Sequence, residues 1–192
     1  MRKLHEGEIF PDFPLMLAFE GEKMVHDILS KQKFTIFWFM RYLGCTFCNY
    51  DIHQIAEQYS IFRQREAQVV IVLQSRLSVI EEELEGMKHP AKIVCDPECL
   101  LYDSLNIPAT ATKEERMPKT RTGIEKLEGK RRQVKAAGYI HGKYEGREQQ
   151  LPAIFIMDED GIVRYAHYAE NSIDMPEIDD IADILTKLTV QR

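Results

Sequence analysis

Cysteine is scarce in this chain, four among 192 residues. That is too few for a disulfide scaffold, and a chain this long buries a core without one. No apolar run approaches the roughly 20 residues that span a bilayer; the longest is Phe34-Thr35-Ile36-Phe37-Trp38-Phe39-Met40. The opening Met1-Arg2-Lys3-Leu4-His5-Glu6-Gly7-Glu8 lacks the apolar stretch of a secretory signal. The expectation is therefore a cytoplasmic protein with no membrane partner. Positive charge is in deficit, 25 Lys and Arg against 31 Asp and Glu, for a net charge of −6. That balance argues against nucleic acid as the main partner, a local basic patch aside. Internal repeats and low-complexity tracts are absent, which excludes solenoids and disordered arrays.

What is present reads as one α/β domain over residues 1–192. Pro11-Asp12-Phe13-Pro14-Leu15-Met16-Leu17 is an extended N-terminal segment, because proline disfavours helix there. Gly21 marks a turn and residues 24–29 a short return segment. Thr35 to Phe39 is aromatic and β-branched with almost no polar interruption, the pattern of a strand buried on both faces. Ile52, Ile55, Ala56 and Tyr59 recur at helical spacing and predict an amphipathic helix from Cys48 to about Phe62. Val69 to Leu73 is the next buried strand, Ser78 to Leu84 a second helix closed by Gly86, and Ile93 to Cys95 a short strand. Asp96-Pro97-Glu98 predicts a helix start running to about Leu105.

Residues 108–150 differ. From Lys113 to Arg147 the sequence holds eleven Lys or Arg against five Glu, with few large aliphatics. It reads as a basic, partly helical, exposed and mobile insert. Regular structure returns with Pro152–Met157 and Ile162–His167, joined by Asp158-Glu159-Asp160-Gly161 as a hairpin. A last helix starting near Pro176 carries Ile178, Ile181, Leu185 and Leu188. Strands alternating with helices mean parallel βαβ units, and the hairpin adds an antiparallel edge.

The chemistry concentrates at Cys45-Thr46-Phe47-Cys48. The pair stands between a buried strand and the start of a helix, where a thiolate meets unpaired backbone N–H groups and the positive end of the helix dipole. Bringing a cysteine from about 8.5 to roughly 7 needs about 2 kcal/mol. A helix terminus supplies about 0.3–2 kcal/mol, so a hydrogen bond from the partner thiol is needed as well. The spacing leaves the first sulfur exposed with the second tucked behind it to resolve a mixed disulfide. Cys45 is accordingly the attacking thiol and Cys48 the resolving thiol.

Other groups carry less. Cys95 and Cys99 are a possible second redox pair, with two buried small hydrophobes as the plainer reading. All four cysteines together could bind zinc, which would make the chain a non-enzymatic zinc-binding or scaffold protein with a thioredoxin fold. No residue pattern selects His53, His141 or His167 as a base. From position alone Pro152 is an ordinary trans proline at a strand start.

Phe37 to Cys48, with its Arg41-Tyr42-Leu43-Gly44-Cys45-Thr46-Phe47-Cys48 turn, resembles the active-site strand and turn of peroxiredoxin-like proteins of the alkyl hydroperoxide reductase/thiol-specific antioxidant (AhpC/TSA) group. The N-terminal Pro11–Leu15, the Asp96-Pro97-Glu98 turn, the hairpin from Asp160 to His167 and the helix from Pro176 to Ile181 are similar to that group in the same order. The resemblance implies a thioredoxin-like fold, with a central mixed sheet flanked by helices, and thiol peroxidase or thiol–disulfide oxidoreductase activity. It implies a thioredoxin-type electron donor, peroxide or disulfide as substrate, a possible homodimer, and no organic cofactor or metal. It also implies a cis proline at Pro152 that leaves Leu151 open to pair with an extended substrate. The family's P-x-x-x-[TS]-x-x-C pattern fits neither cysteine: counting back from Cys48 gives Cys45 and Arg41, and from Cys45, Tyr42 and Trp38. If a peroxide is reduced, Cys45 and Cys48 are both open as the sulfenate site, and Arg41 could hold the peroxide or lower a thiol pKa.

Overall fold

The computed structural model describes residues 2–29 and 31–190. Seven strands form one mixed sheet: β1 (Pro14–Leu17), β2 (Gly21–Met24), β3 (Phe34–Phe39), β4 (Ala67–Leu73), β5 (Lys92–Cys95), β6 (Ala153–Asp158) and β7 (Val163–Tyr168), in the order β2-β1-β5-β4-β3-β6-β7. The pairs β3–β4 and β4–β5 are parallel; every other pairing is antiparallel. The segment before β1 reaches the hairpin through an Ile9–Ile162 bridge.

The unbroken apolar strands follow from burial on both faces. In β3, Phe34, Ile36 and Trp38 enter one core while Phe37 and Phe39 enter the other. In β4, Val69, Ile71 and Leu73 alternate in the same way with Val70 and Val72. The first core is covered by α2 (Thr46–Glu57), α3 (Tyr59–Arg63), α4 (Leu77–Glu83) and α8 (Ile178–Val190), through Ile52, Phe62, Ile80 and Leu185. The second is covered by α1 (Val25–Leu29) and α5 (Leu100–Ser104), through Ile28, Leu101 and Tyr102.

Three local expectations change. The helix after the CxxC breaks at Gln58, whose ψ of 14° departs from helical geometry, so α2 and α3 are separate. The helix expected from Asp96 begins only at Leu100. Cys99 takes a left-handed φ of 59°, and the Asp96 carboxylate caps the turn by accepting from the Leu100 and Leu101 N–H groups.

The third change concerns the insert, which is folded against the body. It contains α6 (Lys113–Arg116) and α7 (Arg121–Ala136), capped by Thr112 and Thr120. Helix α7 buries Leu127 and Val134 and packs on α2. Lys130 of α7 reaches both carboxylate oxygens of Asp51 of α2 at 2.7 Å, and Tyr139 packs edge-on against Tyr50. Residues 140–150 then form a strap back across the strand ends. Its Gly142 N–H donates to the Gly44 carbonyl at 2.8 Å. Glu145 accepts from Ser75 Oγ and the Arg76 N–H, and Arg147 pairs with Asp103.

Candidate active site

Cys45 is the N-cap of α2. Its Sγ accepts from the Cys48 N–H at 3.4 Å, so the sulfur fills the place that Ser or Asp takes at other helix starts. The Arg41 guanidinium donates to the same sulfur at 2.9 Å, while its other arm donates to the Glu148 carbonyl of the strap at 2.6 Å. A hydrogen bond from the Cys48 thiol, the Arg41 charge and the Cys48 N–H together outweigh burial and lower the Cys45 pKa to about 5. The Cys48 thiol moves the other way, because it donates to Cys45 and is itself buried. One sulfur is thus a ready thiolate and the other keeps its proton. Neither is bonded to another cysteine.

The expected exposure of the first sulfur is reversed. Cys45 is 2% exposed and Cys48 8%. The strap and α7 pack beside the turn, and both sulfurs line an open cavity of about 470 Å³. Trp38, Phe47 and Ile178 give it apolar walls, and Arg116, Lys130 and Asp51 give it charge. Burial pushes the Asp51 carboxyl up to about 6 against the pull of Lys130.

The substrate-pairing role expected of Leu151 and Pro152 does not survive as drawn. No cis peptide occurs among the described residues, so Leu151–Pro152 is trans. The Leu151 N–H donates to the Pro108 carbonyl, and the Leu151 carbonyl accepts from Gln150 Nε2. That backbone is occupied within the chain and offers no free edge. Pro152 instead lines the cavity.

Cys95 and Cys99 lie in different cores on opposite faces of the sheet. Burial pushes the Cys95 thiol up to about 12 and raises that of Cys99. Among the described residues no three His, Cys, Asp or Glu side chains converge as a metal set. His53 contacts the Asn49 carbonyl, His167 the Asp174 carbonyl and His141 the Tyr42 hydroxyl; none bonds a sulfur.

The structure places Cys45, Cys48 and Arg41 side by side. Sequence reasoning missed Asp51, Lys130, Arg116 and Ser172, three of which come from or beyond the insert. The one available signal was Asp51, which lies on α2 one turn past Cys48.

Among curated proteins none matches this chain. Many solved structures share its fold, among them three peroxiredoxins. One is a cysteine-to-serine variant of the peroxiredoxin 6 of Arenicola marina, with TM-score 0.67 and 15% identity, covering 98% of this chain and 74% of that one. A second is the reduced 2-Cys peroxiredoxin of Plasmodium vivax, with TM-score 0.69 and 12% identity, covering 98% and 83%. The third is a yeast mitochondrial 1-Cys peroxiredoxin, whose thiol resolving mechanism runs via glutathione/thioredoxin systems, with TM-score 0.66 and 11% identity, covering 98% and 78%. Among the described residues no helix is long and apolar enough to cross a membrane. Identities this low speak for the fold alone, whereas a sequence profile of the AhpC/TSA family matches residues 7–166. With that match over most of the chain, the protein belongs to the AhpC/TSA family of thioredoxin-fold thiol oxidoreductases.

Proposed function

We propose that the protein reduces small peroxides by cycling Cys45 and Cys48 between dithiol and disulfide. The observation that supports this reading is a buried thiolate lining an open cavity, held by Arg41 and by the protonated Cys48 thiol. A small peroxide fits such a cavity. A protein disulfide does not reach a residue that is 2% exposed without a rearrangement of the segments around it.

The steps balance as follows. The Cys45 thiolate attacks one peroxide oxygen; an S–O bond forms, the O–O bond breaks, and the leaving alkoxide or hydroxide takes a proton from water. The sulfur has lost two electrons and the peroxide has gained them. Arg41 takes the place of the absent family hydroxyl, lowering the thiol pKa and holding charge that develops on oxygen. The Cys48 sulfur then attacks the Cys45 sulfenic acid, expelling water and closing the disulfide. A thioredoxin-type dithiol returns two electrons by exchange.

Stoichiometric peroxide added to the reduced protein should remove both active-site thiols while leaving Cys95 and Cys99 free. In Cys48→Ser the sulfenic acid should persist on Cys45 and be captured by dimedone. An unchanged thiol titre sinks the peroxidase reading. Capture only on Cys48, in Cys45→Ser, reverses the two roles.

A further inference from the structure

Arg116 closes α6 and lines the same cavity as the two sulfurs. It is 7% exposed. Its Nε donates to Gln149 Oε1 at 2.9 Å, and no carboxylate pairs with it among the described residues. The other cations on the cavity wall are matched: Lys130 by Asp51, Lys126 by Glu177, and Arg41 by the Cys45 thiolate. Asp179 is exposed at the rim and makes no ion pair with Arg116. Burial and the neighbouring Arg41 charge lower the Arg116 pKa against the pull of Cys45, Cys48 and Glu148, none of which forms an ion pair or hydrogen bond with it. A buried guanidinium carries a desolvation cost that only an anion in good geometry offsets.

A second observation falls beside it. The Ser172 N–H donates to the Arg116 carbonyl at 2.8 Å, so the two residues are neighbours across the fold. Ser172 also lines the cavity, and its buried Oγ has no hydrogen-bond partner. Gln150, a third lining residue, presents all its Nε2 bonds to carbonyls and leaves Oε1 without a partner. A cavity next to an activated thiolate thus holds one unmatched cation, one free hydroxyl and one free acceptor, between apolar walls.

We infer that Arg116 and Ser172 form a carboxylate-binding subsite, and that the preferred substrate is an organic hydroperoxide carrying a carboxylate group. The inference rests on the peroxidase reading above and deepens it. The carboxylate pairs with the Arg116 guanidinium and accepts from Ser172 Oγ, the apolar body lies against walls such as Trp38 and Phe47, and the hydroperoxide reaches Cys45. The free Gln150 oxygen suits the hydroperoxide O–H.

The test uses a matched pair of substrates, cumene hydroperoxide and its para-carboxylate. The full chain should prefer the carboxylate in kcat/KM by about ten- to hundredfold, the range of a charge-assisted hydrogen-bonded pair. In Arg116→Gln the ratio should fall towards one. Arg116→Lys, which keeps the charge but not the fork, should fall between them, and Ser172→Ala should lower the ratio if Arg116→Gln does not fold. A second readout needs no peroxide: 4-isopropylbenzoate should protect Cys45 from iodoacetamide, and the neutral 4-isopropylbenzamide should not. That protection should vanish in Arg116→Gln or Ser172→Ala. Equal kcat/KM for the two hydroperoxides, or equal protection by acid and amide, overturns the inference. If neither hydroperoxide is reduced, the peroxidase reading fails, and the protection experiment alone decides the subsite.

Discussion

At the scale of single residues, the site turns on a sulfur used as a helix cap. A cap that is also a thiolate gains from the helix N–H and from Arg41 at once. Iodoacetamide alkylation of Cys45 in the reduced protein should therefore follow pH with a midpoint near 5. Arg41→Gln should move that midpoint up, and Cys48→Ser should move it less, because serine keeps a hydroxyl donor. A midpoint unchanged in Arg41→Gln would remove the guanidinium from the account. Ser172→Ala offers a second check: it deletes a buried hydroxyl without a partner, so it should stabilise the fold by about 1 kcal/mol in chemical denaturation. These residues were unequally visible in the sequence. Cys45 and Cys48 sit at one helix start, and Arg41 stands in the short loop between β3 and that helix, so their closeness is local in sequence. Arg116 and Ser172 meet Cys45 only through tertiary packing, which no local spacing encodes.

At the scale of elements, strands and helices were legible wherever apolar periodicity drives burial. The strands β3, β4 and β6 and the helix α8 all stand where the hydrophobic pattern puts them. The insert is partly helical and largely exposed, as its composition suggests, but its anchoring to the body was not legible because much of that anchoring is polar. The strap is held by a glycine–glycine backbone bond, by Glu145 on Ser75 and by Arg147 on Asp103, contacts that leave no apolar periodicity to read. Gly44 is where this matters most, since a Cβ there would stand 2.1 Å from the Lys143 carbonyl oxygen. Both partners are backbone, so the clash cannot be relieved by a rotamer. Gly44→Ala should displace the strap, speed alkylation of Cys45 several-fold and expose the 139–147 segment to limited trypsin cleavage. Unaltered alkylation would mean that the strap does not guard the sulfur.

At the scale of the whole molecule, the two cores are joined through the ends of the central strands. The buried Tyr102 hydroxyl donates to the Met40 and Val72 carbonyls, tying α5 to the ends of β3 and β4. Tyr102→Phe removes that donor from the Met40 carbonyl, while the Val72 carbonyl keeps the Met40 N–H, and should cost about 1–3 kcal/mol of unfolding free energy. The thiolate also links redox state to stability. Its folded pKa lies below the unfolded value of 9.0, so between about 5 and 9 the unfolded chain binds the extra proton. The reduced protein should therefore gain stability as pH rises through that window and lose it as pH falls towards 5, by about 3 kcal/mol between pH 5 and 7 at most. The disulfide form lacks this dependence. Denaturation of both forms at pH 5 and pH 7 measures the difference, and parallel pH profiles would contradict it.

Arg41 also connects the sulfur to the strap, since one arm holds Cys45 and the other the Glu148 carbonyl. Once Cys45 enters a disulfide, the arm on the sulfur faces a neutral atom, and the segment near Glu148 loses the anion that fixed its anchor. Amide hydrogen exchange in residues 142–150 should then quicken on oxidation. The surface over the spent sulfur would loosen at the moment a reducing partner has to reach it.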